Sequence, residues 1–329
     1  MMTQSTDFDS KSVRDVIGET IATEMERDER IFVQGEDIAV EGGAFGLLQN
    51  VHEQYPDRVR NTPISEAAIV GSGLGAAMTG SRPVVEIMFS GFLGIAMDQL
   101  LNQVAKLRYM MYGNVDIPLT IRTQNASGRR IAAQHSQALH HILMGIPGIK
   151  VVCVSTPEDT KGLLTAAIRH DDPVVVFEHG SVYNREGEVP TGEYVIPIGE
   201  AAVERAGDDV TVVATQVQLW NALEAAEQLS DEGISLEVVS PRTFDPLDVE
   251  TIAESVRKTG RCIVVDETPL TAGSQSDLTA QLTEAAFFDL DFPIQRLGVA
   301  DVPLPYSPVL EDEVLPDTAD IVDTARMLA

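Results

Sequence analysis

The chain has 329 residues, a net charge of −28 at neutral pH and 44% hydrophobic content. The length exceeds what one hydrophobic core usually serves, so two domains are expected, and the apolar content is that of a globular chain. The charge excludes nucleic-acid binding, which needs clustered Lys and Arg, and no apolar run is long enough to span a bilayer.

Residues 1–11 are polar and carry Asp7 and Asp9, without the basic and then apolar pattern of a secretory signal, so a cytoplasmic location is expected. Residues 31–34, 84–88, 119–122, 151–154 and 174–177 are short β-branched runs between turn residues and predict strands. Between them, residues 96–109 place Met97, Leu100, Leu101 and Val104 at helical spacing, and residues 160–168 follow Pro157-Glu158-Asp159, an acidic helix start. This alternation predicts a mostly parallel sheet with helices on both faces. Asn184, Gly187, Pro190, Gly192 and Pro197 crowd residues 184–197 and predict a linker. Beyond it, residues 210–215, 235–239 and 262–266 predict strands, and 221–230 and 249–258 predict helices. The expected fold is α/β, with two doubly wound domains over residues 1–190 and 198–329.

Cys153 and Cys262 have no CxxC partner and read as buried thiols rather than a disulfide framework. The only lysines are Lys11, Lys106, Lys150, Lys161 and Lys258. An acidic, lysine-poor surface of this kind suits a salt-rich solvent, which screens self-repulsion; an acidic docking face for a basic partner is the rival reading.

Asn61-Thr62-Pro63-Ile64-Ser65-Glu66-Ala67-Ala68 predicts a strand running into a helix, with Ser65 as cap and Glu66 in the first turn. A helix-start carboxylate explains Glu66 from this segment alone. Gly71, Gly73 and Ala76 satisfy a GxGxxG/A dinucleotide spacing, but residues 66–70 are already helical in character, whereas that motif must follow a strand and open a helix. Close helix packing explains these small residues better.

Gln134-His135-Ser136-Gln137 follows Ser127-Gly128-Arg129-Arg130, and His135 has the most suggestive setting of the six histidines. Zinc ligation does not fit, since His135, His140 and His141 are not spaced i, i+4 and no cysteine or carboxylate pattern joins them. Nor does a Ser136 nucleophile, since no GxSxG elbow is present. Taken alone, His135 is a capping or hydrogen-bonding residue. No GxxxxGK[ST] loop occurs. Gly207-Asp208-Asp209 has the start of a GDG…N diphosphate motif, but Asn221 is the last Asn in the chain, so it reads as a turn.

In order along the chain, these signals become specific. Gly35-Glu36-Asp37, Gly42-Gly43-Ala44-Phe45-Gly46, Arg58-Val59-Arg60-Asn61-Thr62-Pro63-Ile64-Ser65-Glu66, Arg82-Pro83-Val84-Val85-Glu86, Met97-Asp98-Gln99, Ala133-Gln134-His135-Ser136-Gln137, Ile146-Pro147-Gly148, Lys161-Gly162-Leu163-Leu164 and Asp172-Pro173 are present. Asp301-Val302-Pro303 and Leu310-Glu311 continue the series more thinly. The chain resembles the β subunits of the thiamine-diphosphate-dependent decarboxylating component of 2-oxo acid dehydrogenase complexes, within the transketolase-like family.

The resemblance implies a pyrimidine-binding domain followed by a transketolase C-terminal domain. It implies an α subunit, in a heterotetramer, that holds magnesium and the cofactor's diphosphate, which accounts for the missing GDG…N motif. It places Glu66 on the aminopyrimidine ring of thiamine diphosphate, His135 as the active-site histidine, Phe92 against the pyrimidine and Glu36 as a further cofactor contact. It also implies a lipoyl-bearing acyltransferase core as acceptor. A potassium ion on the backbone carbonyls of Leu119, Ala167, Ile168, His170 and Asp172 is a further implication.

Departures are visible. Asn61 stands where Asp is common, Gly91 replaces a frequent Asp, and Ser127-Gly128-Arg129-Arg130 replaces the glycine-rich loop of pyruvate-type members. With Ala132-Ala133, that loop looks more like the acetoin-dehydrogenase branch. A non-catalytic partner subunit that keeps the fold is the competing function; the retained Glu66 and His135 count against it. A self-contained transketolase or deoxyxylulose-phosphate synthase would need a third α/β unit, for which the chain has no room.

Overall fold

The computed structural model describes residues 7–40 and 42–329. Residues 1–6 of the polar start lie outside the described residues. The fold is α/β, and the chain gathers into two compact units. Unit 1 holds the residues up to Gln124, Ile146–Glu178 and Val182–Ile198; unit 2 holds Asn125–Gly145, His179–Ser181 and Gly199–Ala329.

Unit 1 is built on strands β2 (Ile31–Gly35), β3 (Val59–Asn61), β4 (Arg82–Ile87), β5 (Thr120–Asn125), β6 (Lys150–Cys153) and β7 (Val174–His179), hydrogen-bonded in the order β6-β7-β5-β4-β2-β3. The pairs β2–β3, β2–β4, β4–β5 and β6–β7 are parallel. Apart from the edge strand β3, whose Arg60 and Asn61 are exposed, their residues are buried almost throughout, as expected of parallel strands covered on both faces. Two helices that pack on one another, Val13–Arg27 and Pro157–Arg169, are capped by Ser12 and Thr156, whose side chains accept from the backbone N–H of Asp15 and Asp159. Pro157 sits inside the second helix at its first position, so that helix opens three residues before the predicted start, where a missing N–H costs nothing.

Three expectations change. Residues 96–109 are not one regular helix: Gln99–Val104 is π-helical and Leu107–Met110 resumes as α-helix. The Ala105 N–H reaches back to Leu100 O, and the widened turn leaves Leu101 exposed, while Leu100 and Val104 stay buried. Residues 184–197 are not all linker, because β8 (Glu186–Pro190) pairs antiparallel with β1 (Phe8–Ser12). Ser65 holds the N-cap position of the helix Glu66–Met78, yet its side chain makes no capping bond.

Unit 2 carries β9 (Ala202–Arg205), β10 (Val210–Ala214), β11 (Leu236–Ser240), the short β12 (Thr243–Asp245), β13 (Cys262–Pro269) and β14 (Gln295–Val299). Its five-stranded sheet runs β14-β13-β10-β11-β9, with β9 antiparallel to β11. Val210, Val212, Val238, Ile263 and Val265 pack with Leu219, Leu229, Ile321 and Leu328 in one apolar core. The helices Ser274–Ala286 and Thr318–Leu328 and strands β9 and β14 were not predicted.

Candidate functional site

In unit 1, β3 ends where the Thr62 N–H donates to Gly35 O across 2.9 Å, and a short extended stretch brings the chain to Glu66 at the head of the helix Glu66–Met78. Gln34 on β2 ties that helix down, giving Nε2 to Ile69 O at 2.8 Å and to Ser72 Oγ at 2.9 Å. Gly73 lies so close to the sheet that a Cβ there would fall 2.7 Å from Val85 Cγ1. Close packing, not dinucleotide binding, therefore accounts for this glycine inside the helix. Asn61, which stands where Asp is common, accepts the Ala39 N–H on Oδ1 at 2.7 Å, a bond that either residue makes.

Glu66 is 4% exposed, and among the described residues no donor bonds its carboxylate. The helix N-terminus favours a carboxylate here, and its acceptor capacity remains open to a ligand donor. Glu36 follows β2 directly. Its carboxyl is held above the ordinary carboxylate range by partial burial first, then by the negative charge of Glu66 and that of Asp37. Half-buried Phe92 stands edge-on to Phe89, ring centroids 5.6 Å apart, and Phe89 stands edge-on to Phe45. A carboxylate acceptor without a donor and a second acid in its field suit a ring that carries an N–H.

The sequence reading missed a buried cluster in the same unit. Arg122 on β5 binds Glu178 with two parallel bonds, Nε to Oε1 at 2.6 Å and Nη2 to Oε2 at 3.0 Å, and gives Nη1 to Glu86 Oε2 at 2.9 Å. The Tyr183 hydroxyl donates to Glu178 Oε2 at 2.8 Å. Burial pushes the Glu86 carboxyl up, with Arg122 opposing and Glu178 and Glu36 reinforcing the rise.

In unit 2, His135 is exposed on a turn in which the N–H groups of His135 and Ser136 both donate to Ala132 O. His140, five residues on, is fully buried: Nε2 lies 2.7 Å from Asp266 Oδ2, and Nδ1 lies 3.2 Å from Asn125 Nδ2. Asn125 also donates to Gln216 Oε1 at 2.9 Å. Gln216 precedes the helix Val217–Ser230 with φ 55° and ψ −128°, a strained backbone for a side chain of this size. On the next residue of β13, Glu267 Oε2 lies 2.6 Å from His179 Nε2. Nothing in the local sequence marks His140 rather than His135 as the buried one.

Of the carbonyls that the resemblance links to potassium, all in unit 1, those of Ile168 and His170 face an internal cation. Arg82 gives Nε to Ile168 O at 3.1 Å and Nη2 to His170 O at 2.8 Å. Leu119 O accepts the Val174 N–H and Ala167 O the His170 N–H, and the Asp172 N–H donates to His170 Nδ1. Two of these five oxygens thus already face a cation of this chain's own, the Arg82 guanidinium.

Residues 9–185 match the family described as "Transketolase, pyrimidine binding domain", and residues 199–321 match "Transketolase, C-terminal domain". These two domains in this order define the class: a transketolase-like protein. The chain is 45% identical to the acetoin:2,6-dichlorophenolindophenol oxidoreductase subunit beta of Cupriavidus necator, with 96% of each chain covered. It is 42% identical to the 2-oxoisovalerate dehydrogenase subunit beta of Bacillus subtilis, covering 96% of this chain and 97% of that one. It is 41% identical to the mitochondrial pyruvate dehydrogenase E1 component subunit beta of Dictyostelium discoideum, covering 96% and 90%. A solved "Split gene transketolase, inactive beta4 tetramer" superposes with a TM-score of 0.76 at 23% identity over 96% of this chain and 97% of that one, a likeness of fold alone. The chain belongs to the transketolase-like family, in the branch formed by the β subunits of acetoin and 2-oxo acid dehydrogenases.

Proposed function

We propose that this chain is the β subunit of a thiamine-diphosphate-dependent dehydrogenase component that cleaves acetoin or decarboxylates a 2-oxo acid and passes the fragment to a lipoyl group. The observation that carries the reading is the buried Glu66 carboxylate with no donor among the described residues. Thiamine diphosphate supplies, when bound, a nucleophilic ring carbon and an electron sink for the substrate carbon. Glu66 accepts a hydrogen bond from the aminopyrimidine ring nitrogen and keeps a proton there, which favours the basic form of the neighbouring amino group. Phe92 offers its ring to the pyrimidine, and Glu36 adds negative charge to the same side. His135, exposed on its turn, orients or protonates the reacting fragment or the incoming lipoyl sulfur.

The diphosphate and its magnesium belong to an α subunit in a heterotetramer, because this chain lacks the GDG…N motif. Potassium is the further cofactor of this reading, on the carbonyls of Leu119, Ala167, Ile168, His170 and Asp172, two of them shared with Arg82. The acceptor is a lipoyl-bearing acyltransferase core. Acetoin is the favoured substrate, on the Ser127–Arg130 loop and Ala132-Ala133, ahead of pyruvate and branched-chain 2-oxo acids. Among the described residues no helix is long and apolar enough to cross a membrane; we place the complex in the cytoplasm of a salt-adapted cell.

The test is co-expression with the α subunit, followed by assay with thiamine diphosphate, magnesium and an artificial electron acceptor. A panel of acetoin, pyruvate and branched-chain 2-oxo acids reads the substrate. Activity is expected only with both subunits and highest with acetoin. Activity from this chain alone would overturn the reading.

A further inference from the structure

We infer that Glu311 is the positioning residue of the loop that carries His135. The inference rests on the reading of His135 as the active-site histidine. Between Asn125 and His140 the chain has little regular structure and three left-handed residues: Gly128 at φ 75°, Arg130 at φ 62° and Ala132 at φ 65°. Gly128 adopts this conformation freely, whereas Arg130 and Ala132 do so against the preference of any residue with a Cβ. Such residues persist only where surrounding structure holds them.

Glu311 holds the first two of them. It is fully buried in the short helix Pro308–Asp312, whose residues lie some 180 positions further along the chain. Its Oε1 accepts the Gly128 N–H at 3.0 Å, and its Oε2 accepts the Arg130 N–H at 3.1 Å and Arg130 Nη1 at 2.8 Å. Arg130 Nη2 continues to Asp312 Oδ1 at 2.5 Å. Two of the three bonds go to main-chain groups, so the carboxylate fixes backbone, and as charge-assisted bonds they are stronger than neutral ones. Two residues beyond the clamp, Ala132 turns its carbonyl to collect the N–H groups of both His135 and Ser136, and the Ser136 side chain is buried. The line from carboxylate to histidine is therefore short and entirely main chain: Glu311, the 128–130 backbone, Ala132 O, the His135 turn. Of the two adjacent arginines, Arg130 is turned into this clamp.

Every partner of the Glu311 carboxylate is a donor. Glu311→Gln keeps the shape but sets an NH2 group against one of them, which makes it a sharp substitution. The co-expressed complex is compared for wild type, Glu311→Gln and His135→Asn by hydrogen exchange over residues 126–139, thermal midpoint, and kcat and KM. For Glu311→Gln, exchange at residues 128–136 is expected to rise at least ten-fold while the thermal midpoint and α association are retained, and kcat is expected to fall at least ten-fold with KM within two-fold. Arg130→Ala, which removes only the side-chain donors, is expected to give a smaller rise in exchange and keeps the test open if Glu311→Gln does not fold. Unchanged exchange in both variants overturns the inference whatever His135 does. Raised exchange with undiminished kcat, where His135→Asn abolishes turnover, overturns positioning and leaves the catalytic reading standing. An active His135→Asn enzyme overturns the catalytic reading first, and the positioning role with it.

Discussion

His140 Nε2 donates a hydrogen bond to Asp266 Oδ2 across 2.7 Å, between residues 126 positions apart in sequence, with both groups buried. The Asp266 carboxylate can only accept, so Nε2 is the donor of this bond, and a ring with its acceptor at Nδ1 matches the Asn125 Nδ2 placed 3.2 Å away. Burial works against ionisation of Asp266, but the His140 ring, Ser274 and the Glu267 N–H outweigh it and hold its carboxyl below the ordinary range. His140→Ala removes one hydrogen bond from a buried carboxylate that keeps Ser274, Thr268 and the Glu267 N–H as donors, and we expect a loss of about 1.5–3 kcal/mol, the usual worth of a hydrogen bond to a charged group. Urea unfolding of the purified complex measures it; a loss below about 1 kcal/mol would mean that Asp266 is held by its other donors.

The same residues set an acid limb. Asp266 has a folded pKa below its unfolded value, so the stability it contributes is full above an unfolded pKa of about 3.9 and is lost as pH falls through the folded value. His141 is lowered to about 4, chiefly by burial of its ring, so its proton binds better to the unfolded chain and stability declines as pH drops from about 6.5 towards that value. His141→Gln is expected to flatten the upper window and Asp266→Asn the lower one. Thermal midpoints taken between pH 3 and 7 separate the two, and parallel curves for wild type and variants would refute the assignment.

How far the sequence foretold this depends on the range of the interaction. Strands β2, β4, β5, β6, β7, β10, β11 and β13 were legible because, covered on two faces, they are continuous β-branched runs such as Val151-Val152 and Val174-Val175-Val176, whereas β9 and β14 are partly exposed edge strands of their sheet and lack such a run. The helix Ser274–Ala286 was not, because Ser274, Gln275 and Ser276 at its start are buried or half-buried polar residues bonded within unit 2, which blurs the apolar stripe. The π-turn at Gln99–Val104 keeps Leu100 and Val104 inside and so imitates regular spacing. β8 was hidden by Gly187 and Pro190, which read as linker residues but are tolerated in an edge ribbon. Glu66 was placed from its segment at a helix start, and there it is; that it lacks a donor is a fact about surrounding space that no local pattern contains.

Arg122 provides a prediction about stability that leaves the pyrimidine side chains in place. It is buried between Glu178 and Glu86, and Tyr183 closes the cluster. Arg122→Met removes the cation and leaves two carboxyls facing one another in the interior, so a loss of about 3–5 kcal/mol is expected. Adding Glu86→Gln and Glu178→Gln to Arg122→Met should return part of it, since the repulsion goes with the charges. Denaturant midpoints of the single and triple variants decide this, and a triple variant less stable than the single one would show that polar geometry, not charge, holds the cluster.

Glu66→Ala should nearly abolish turnover of the assembled complex while the subunits still associate, and Glu66→Gln bears on Glu36. Glu36 is raised by partial burial, then by Glu66 and Asp37; removing the charge of Glu66 should bring its pKa down. In the wild type the folded pKa lies above the unfolded one, so the contribution of Glu36 to stability is full at low pH and is lost as pH rises from the unfolded to the folded value. Titration of Glu36 by carboxyl-selective labelling against pH reads the shift, and an unmoved midpoint in Glu66→Gln would separate the two acids. Near-normal activity of Glu66→Ala would sink the cofactor assignment itself.

The net charge of −28 gives the last prediction. Most of these acids are exposed, and exposed like charges repel over a Debye length of about 10 Å at 0.1 M salt and about 3 Å at 1 M. Self-repulsion opposes compaction, so screening it should stabilise the fold. Some acids are already paired locally, as in Arg326 with Glu232 and Asp323 and in Arg257 with Glu250, and those pairs weaken with salt. Repulsion dominates because 51 acidic residues face 23 basic ones. The thermal midpoint of the purified complex should therefore rise from 0.1 M to 2 M potassium chloride, and the same rise in sodium chloride would assign it to screening rather than to a potassium ion on the carbonyls beside Arg82. A midpoint that rises only with potassium, and saturates at low concentration, would favour the specific ion. A flat or falling midpoint in both salts would remove solvent adaptation as the reason for the acidity and leave a docking face for a basic partner.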